Sequence, residues 1–165
     1  MDLGHNKLEI LPADFGSIPT LLRLDLSNNR LEELPDSFGM LPMLIEINLT
    51  TNCLETLPDS FGHLNKLERA YIGGNELVTL PETIAGNQSG TIQGLTSLRI
   101  LNLRSNQLTA LPRTFGKLPD LPVYYDLSLS LDVQKGIFLG GNPITVPPPD
   151  VFTGGCAAIA DFFDG

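Results

Sequence analysis

The chain has 165 residues, 42% of them hydrophobic, which is enough for one domain with a buried core. Nineteen acidic and ten basic side chains give a formal net charge of −9. This argues against binding of nucleic acid or anionic lipid, because both require a basic surface.

The start of the chain and its cysteines bear on its compartment. The first residues lack the pattern of a signal peptide, and no apolar run is long enough to span a bilayer, so we expect no membrane insertion. Cys53 and Cys156 lie far apart without metal-ligand spacing, as is typical of proteins in a reducing compartment. We therefore predict a cytoplasmic protein without a metal or other cofactor.

An internal repeat runs along the chain. Asparagines recur at intervals of 23, 23, 23, 31 and 36 residues, at Asn6, Asn29, Asn52, Asn75, Asn106 and Asn142. A Leu-Pro or Val-Pro step follows each one. Three residues after the proline comes a large apolar side chain, at Phe15, Phe38, Phe61, Ile84 and Phe115, and glycine follows four of these five.

The segment before each asparagine alternates between apolar and polar residues. Residues 21–31 read LLRLDLSNNRL, 44–54 LIEINLTTNCL, 67–77 LERAYIGGNEL and 98–108 LRILNLRSNQL. Alternation places Leu24 and Leu26 on one side of a short strand, and Arg23 and Asp25 on the other. One such strand cannot bury its apolar side alone. We therefore predict stacked parallel strands with one core column, made of Leu24, Ile47, Ala70 and Leu101.

The asparagines and prolines are interpreted as structural. An asparagine amide can both donate to and accept from backbone groups of neighbouring turns, which would otherwise be buried without partners. Proline after leucine rules out a helix at that point and favours an extended path. The phenylalanines are predicted to fill the back of the core behind an irregular outer side with short helical turns.

This pattern resembles the leucine-rich-repeat motif LxxLxLxxNxL, clearly over residues 1–118 and more loosely beyond them. The resemblance implies an open α/β solenoid, a horseshoe segment with short parallel strands on its concave face. Residues 1–165 would form a single domain of about six turns, or rungs. The 23-residue period with its LPxxFGxL stretch is similar to that of Ras-group intracellular repeat proteins, such as the Ras-suppressor, Erbin and Scribble scaffolds and their plant relatives.

Two insertions interrupt the period. Residues 86–93 are rich in glycine and polar side chains, which predicts a solvated loop on the outer side. Residues 122–135 are compatible with an alternating strand or an imperfect rung, formed by Tyr124, Leu127, Leu129, Leu131 and Val133. Each insertion is either a functional loop, a tolerated addition, or unspliced sequence.

The two ends differ. Residues 1–6 enter in the middle of a repeat without a polar capping unit, so the apolar side of the first rung is predicted to be uncovered. The chain is then either a fragment or pairs end to end. Residues 143–165 resemble the closing segment of intracellular leucine-rich-repeat proteins, where a proline-rich turn leads into a covering helix. The resemblance implies a cover made of Cys156, Ile159, Ala160, Phe162 and Phe163.

The sequence contains no catalytic motif. His5 and His63 have no third catalytic or ligand residue near them in the repeat frame, and no P-loop, dinucleotide, zinc-protease or paired-cysteine motif occurs. Gly73-Gly74 and Gly140-Gly141 are interpreted as tight-turn residues. We therefore predict that the chain is not an enzyme.

The remaining candidate is the concave surface, where family members usually bind partners on the variable residues of each strand. Carried over to this chain, the resemblance implies partner binding by Arg23, Asp25, Glu46, Asn48, Arg69, Tyr71, Arg99, Asn102 and Arg104. Arginine and tyrosine dominate binding hot spots. Mixed charge on a sheet face also serves solubility, so both interpretations stay open.

The resemblance implies a non-catalytic protein–protein interaction module, a signalling scaffold whose partner is a small GTPase or its regulator. The alternative is the recognition segment of a larger enzyme, such as a kinase, cyclase or ubiquitin ligase, with its catalytic domain outside these residues. A third hypothesis is a structural role through end-to-end self-association.

Overall fold

The computed structural model describes residues 1–87, 89–126 and 134–165. Within these ranges, six short strands form one open parallel sheet in the order β1-β2-β3-β4-β6-β5. The strands are β1 (Arg23–Asp25), β2 (Glu46–Asn48), β3 (Arg69–Tyr71), β4 (Ile100–Asn102), β5 (Val123–Tyr124) and β6 (Gly136–Phe138).

The predicted core column is confirmed. Leu24 pairs with Ile47, Ile47 with Ala70, and Ala70 with Leu101, so the four side chains lie in one line across the sheet. None of them is more than 2% exposed. Each rung therefore covers the apolar side of its neighbour, which a single strand of three residues cannot do for itself.

The asparagines form the predicted ladder between rungs. The Asn52 amide Nδ2 donates to the carbonyls of Leu26 and Leu49 at 3.0 Å each, and Oδ1 accepts from the Leu31 N–H at 3.0 Å. The same three kinds of hydrogen bond are made by Asn29, Asn75, Asn106 and Asn142. One side chain thus satisfies backbone groups of two rungs at once.

The residue before each ladder asparagine turns the chain away from the sheet. At all six positions φ lies between +53° and +77°, at His5, Asn28, Thr51, Gly74, Ser105 and Gly141. This is the left-handed region, which glycine adopts without steric cost. Gly74 and Gly141 are thus tight-turn residues, as predicted. Thr51, with a β-branched side chain, adopts a conformation rare for its type.

The outer side consists of short 3-10 helices, as expected from the Leu-Pro steps. The Phe38 N–H donates to the Pro35 carbonyl at 2.8 Å and starts one of them. Behind the sheet the Phe38 ring stacks on those of Phe15 and Phe61, with centroids 6.0 and 6.3 Å apart. The 3-10 helices are Phe15–Ser17, Asp36–Met40, Asp59–His63, Glu82–Ala85, Arg113–Lys117 and Pro149–Gly154.

The two insertions take different paths. The first is a turn on the outer side, in which Asn87 donates to the Thr91 hydroxyl at 2.7 Å and accepts from the Ile92 N–H at 3.1 Å. Among the described residues of the second insertion, Val123–Tyr124 form a strand. The other residues predicted to alternate there, Leu127, Leu129, Leu131 and Val133, lie outside the described residues.

Strand β5 changes the order of the sheet. It pairs with β6 and lies at the far edge, and the chain then returns to place β6 between β4 and β5. The second insertion therefore extends the sheet by one strand instead of forming only a loop. This arrangement determines which part of the concave face is accessible.

A C-terminal helix, α1 (Gly155–Asp164), packs on the 3-10 helix Arg113–Lys117. Cys156 and Ile159 are buried at 1% and 0% exposure, as the cover prediction requires. Phe162 is 43% exposed, so the prediction is wrong for this side chain, which lies on the solvent side of α1. In the described part of the chain, no helix combines the length and hydropathy needed to cross a membrane.

The first rung is less covered than the others. Leu3 and Leu8 are only partly buried, whereas the equivalent Leu26 and Leu31 of the next rung are fully buried. Ile10 is 74% exposed. Leu3 and Leu8 still pack against the core, so the apolar side at this end is partly covered and not fully uncovered as predicted.

We expect the two thiols to differ in reactivity. Burial raises the pKa of the Cys156 thiol, and the nearby Asp120 carboxylate adds to the rise, whereas Cys53 is partly exposed. Because the thiolate is the attacking species, Ellman's reagent should modify Cys53 in the native protein and Cys156 only on denaturation. In Cys53→Ser the fast reaction should disappear. Two equally fast thiols would contradict the packing of α1.

Candidate binding face

The sheet brings residues from β1, β2 and β3 together on the concave side. Their pairing places Arg23, Glu46 and Arg69 in one row across the strands. Asp25, Asn48 and Tyr71 form a second row beside it. Six of the nine residues predicted for partner binding are thus contiguous.

The first row is an alternating chain of charges. Glu46 Oε2 lies 3.8 Å from Arg23 Nε and 3.4 Å from Arg69 Nη1, and Arg69 Nη1 is also 3.9 Å from Glu68 Oε2. The Arg23 side chain is 75% exposed, and those of Arg69 and Glu46 are about one-third exposed. Exposed ion pairs of this kind contribute little to stability, so a partner can replace them at small cost.

The second row has a structural role that the sequence did not reveal. Asp25 Oδ1 accepts from the Ser27 N–H at 2.8 Å, and the Asn48 amide oxygen accepts from the Thr50 N–H at 3.1 Å. Asn102 makes the equivalent bond, at 3.1 Å, to the backbone of the residue two positions later. These are Asx turns, which hold the chain where it leaves each strand.

The Asp25 carboxylate is stabilised within this row. Burial by itself raises the pKa, but hydrogen bonds from the Ser27 hydroxyl and N–H and from the Asn48 amide lower it below the usual value. The stability that Asp25 contributes is therefore present above the ordinary pKa of an aspartate and is lost as pH falls through the lowered one.

Tyr71 occupies the same row but cannot form an Asx turn. Burial raises the pKa of its phenol, the Glu46 charge adds to this, and Arg69 opposes it. The hydroxyl therefore keeps its proton at neutral pH and can act as a hydrogen-bond donor beside the Arg69 guanidinium. Tyr71 combines an apolar ring with a polar tip on a half-buried surface.

The C-terminal part of the concave face is closed. Ile100, Asn102 and Phe138 lie on that side of β4 and β6, yet they are 8%, 6% and 0% exposed. The Tyr124 ring of β5 stacks on Phe138 with centroids 5.1 Å apart, and the Arg104 guanidinium lies 4.9 Å from the Phe138 centroid. Asn102 was predicted as an accessible binding residue, and this prediction is wrong because its side chain is buried in the structure.

Two more of the predicted residues lie at the border of this closed part. Arg99 is exposed just before β4, while Arg104 is partly buried and its Nη2 donates to the Asp126 carbonyl at 3.3 Å. The covering role of Tyr124 was not predicted, although the alternating stretch that begins with this residue was the available signal. The described ranges hold no group of three His, Cys, Asp or Glu side chains suited to a metal ion.

Comparison with known proteins identifies the repeats. Family models described as leucine-rich repeat match residues 19–77 and 97–118. A leucine-rich-repeat protein of Leptospira interrogans is similar at 30% identity over 87% of this chain, with a TM-score of 0.67. The chain spans only 31% of that protein. A search of curated protein sequences gave no match.

Two further solved structures share the fold. The leucine-rich-repeat domain of the type III effector XopL is 25% identical over 85% of this chain and 51% of its own, with a TM-score of 0.65. The ectodomain of the Arabidopsis thaliana receptor kinase GASSHO1/SCHENGEN3, in complex with Casparian strip integrity factor 2, is 27% identical. That match covers 82% of this chain and 14% of the ectodomain, with a TM-score of 0.61.

Proposed function

We propose that this leucine-rich-repeat protein is a non-catalytic scaffold that binds a protein partner on its concave face between β1 and β3. Leucine-rich-repeat domains generally mediate protein–protein interactions. The observation that carries the proposal for this chain is the group of Arg23, Glu46, Arg69 and Tyr71 on three adjacent strands. It combines exchangeable ion pairs with a half-buried tyrosine, the residue types that dominate hot spots.

Because part of the concave face is closed, the surface available to the partner is smaller than the whole sheet. Because Asn102 is buried and Phe138 is covered by Tyr124, the partner contacts the open rows of β1 to β3, and Arg99 lies at their border. The proposed partner is a small GTPase or its regulator, which the similarity of the 23-residue repeat to the Ras-group proteins supports. A cytoplasmic location agrees with two free, separated thiols.

The double variant Arg69→Ala, Tyr71→Ala tests this proposal. We expect partner affinity to fall at least about tenfold, because one arginine and one tyrosine in a hot spot each contribute more than about 1 kcal/mol. Partners would be isolated from cell extract with the parent protein, identified by mass spectrometry, and titrated against both proteins by calorimetry.

Arg113→Ala is the matched control, since Arg113 is exposed on an outer 3-10 helix. It should bind like the parent protein. If the double variant keeps full affinity while its unfolding midpoint is unchanged, the concave face is not the binding site. If no small GTPase or regulator is among the specific partners, the proposed partner class is wrong.

A second candidate is the recognition segment of a larger enzyme. It is favoured by the similarity to a receptor kinase ectodomain, in which the repeats belong to a longer chain with a kinase. The same surface would bind the partner, and the catalytic domain would lie outside these residues. Sequencing the full transcript discriminates the two: a continuous reading frame into a catalytic domain supports the second candidate.

A further inference from the structure

A hollow interrupts the concave face at β6. Neighbouring strands of the sheet carry equivalent positions on this face, at Arg23, Glu46, Arg69, Ile100 and Gly136. The last of these positions has no side chain. A Cβ at Gly136 would lie 2.5 Å from Tyr124 Cε2 and 3.0 Å from Cδ2, so the Tyr124 ring lies directly over this position. The glycine thus leaves room for one aromatic ring on the concave side of the sheet.

The wall of this hollow is itself aromatic. Phe138, two residues further along β6, stacks on the Tyr124 ring with centroids 5.1 Å apart and 25° between the ring planes. The Arg104 guanidinium contacts the same phenylalanine, 4.9 Å from its centroid. A planar ring placed here gains stacking on Phe138, whereas an aliphatic side chain of the same size does not. The hollow therefore favours an aromatic occupant.

The backbone attaches β5 to the sheet independently of the Tyr124 ring. The Ile137 N–H donates to the Pro122 carbonyl at 2.9 Å, and the Leu139 N–H donates to the Tyr124 carbonyl at 2.7 Å. Both hydrogen bonds involve main-chain atoms on each side. They are therefore kept in any conformation of the Tyr124 side chain.

The adjacent Tyr125 anchors β5 further. Its hydroxyl donates to the Asn142 carbonyl at 2.6 Å, and its ring packs against Phe152 with centroids 5.4 Å apart. By contrast, the Tyr124 hydroxyl makes no hydrogen bond to any residue within the described ranges. The Tyr124 side chain is only partly buried as well. It can therefore rotate out of the hollow while β5 stays in place.

We propose that Gly136 and Phe138 form an aromatic-binding site which Tyr124 occupies as an internal ligand, and that an aromatic side chain of the partner replaces it. This inference rests on the proposed function, because the site belongs to the same concave face. Tyr71, Asn102 and Phe138 pair in register, so the site lies about 10 Å beyond Tyr71, two strand spacings away. The exchange requires rotation of one side chain, which is much faster than local unfolding of a strand.

Tyr124→Ala empties the proposed site and leaves the anchors of β5 in place. The probe is p-cresol, which has the size and shape of a tyrosine side chain. We expect p-cresol to raise the unfolding temperature of this variant and to shift the ring signals of labelled Phe138 in NMR spectra. Binding to the parent protein should be at least about tenfold weaker, because Tyr124 competes for the site. Methylcyclohexanol, an aliphatic probe of similar size, should bind the variant at least about tenfold more weakly than p-cresol does.

Tyr125→Ala is the matched control, since it removes the same ring from the adjacent residue. It should lower the unfolding temperature more than Tyr124→Ala does, because a hydrogen bond and the contact with Phe152 are lost. In this control p-cresol should leave the Phe138 signals unchanged. The site is disproved if p-cresol does not shift Phe138 in Tyr124→Ala, or if methylcyclohexanol binds that variant equally well. A larger loss of stability in Tyr124→Ala than in Tyr125→Ala would show that Tyr124 is a core residue and not an internal ligand.

Partner affinity tests the exchange itself. The partner isolated with the parent protein should bind Tyr124→Ala at least about tenfold more tightly, because the internal competitor is gone. Unchanged or weaker binding to Tyr124→Ala would contradict the exchange. The variant Arg69→Ala, Tyr71→Ala separates this result from the proposed function. If that variant keeps full affinity, the concave face is not the binding site, whereas the p-cresol experiment tests the aromatic site without any partner.

Discussion

Asn52→Ala is expected to lower the free energy of unfolding by about 1–3 kcal/mol, the penalty for buried polar groups left without partners. The Leu31 N–H donates to Asn52 Oδ1 and would lose that acceptor. The carbonyls of Leu26 and Leu49 would each lose one of two amide donors, since Asn29 and Asn75 still contact them. The main loss of stability therefore comes from the Leu31 N–H. Urea unfolding followed by circular dichroism measures it.

Asn6→Ala is the matched control for this prediction. Asn6 is the same residue type at the same repeat position, but it is exposed, and among the described residues it donates only to the Leu3 and Gly4 carbonyls in its own turn. Its replacement should cost less than about 1 kcal/mol because water can satisfy those groups. Hydrogen exchange adds a local readout: the Leu31 amide should exchange faster in Asn52→Ala. An unchanged urea midpoint would refute the ladder role of Asn52.

Gly39→Ala is expected to destabilise the chain by about 3 kcal/mol, the upper end of the range for overpacking. A Cβ at Gly39 would lie 1.9 Å from the Ser60 carbonyl oxygen and 2.4 Å from its carbon, both backbone atoms of the next rung. Neither can move without separating the rungs, which would also loosen the Phe38–Phe61 stack. Thermal unfolding by calorimetry measures the loss.

The neighbouring substitution Met40→Ala is the control for Gly39→Ala, because Met40 is 70% exposed and its loss should change stability by less than about 0.5 kcal/mol. Gly62 is in the same situation, with a Cβ 2.2 Å from the Thr83 carbonyl oxygen, so Gly62→Ala should behave like Gly39→Ala. Were Gly39→Ala as stable as Met40→Ala, the rungs would not be in the close contact described above.

These glycines illustrate how far the repeat could be interpreted from sequence. The recurrence of glycine after phenylalanine was visible in the sequence, but its cause was not. A Cβ at these positions would clash with the backbone of the following rung, which only the structure shows. The rows of residues on the concave face were also predictable, since the alternation of apolar and polar residues decides on which side of a strand each residue lies. The use of the Asp25 and Asn48 side chains to hold the turns was not predictable. An Asx turn and a partner-binding residue have the same sequence pattern.

The sequence alone determined the stacking of the rungs, the core column from Leu24 to Leu101 and the asparagine ladder. These features repeat the same contact between neighbours at a nearly constant separation along the chain, so periodicity is sufficient to predict them. Only the tertiary structure decided that β5 lies beyond β6, that Tyr124 covers Phe138, and that the open concave face ends at β3. The reason is that this insertion does not follow the repeat. Its position depends on the strand edge and the apolar surface of the folded solenoid, which the periodicity of the sequence does not describe.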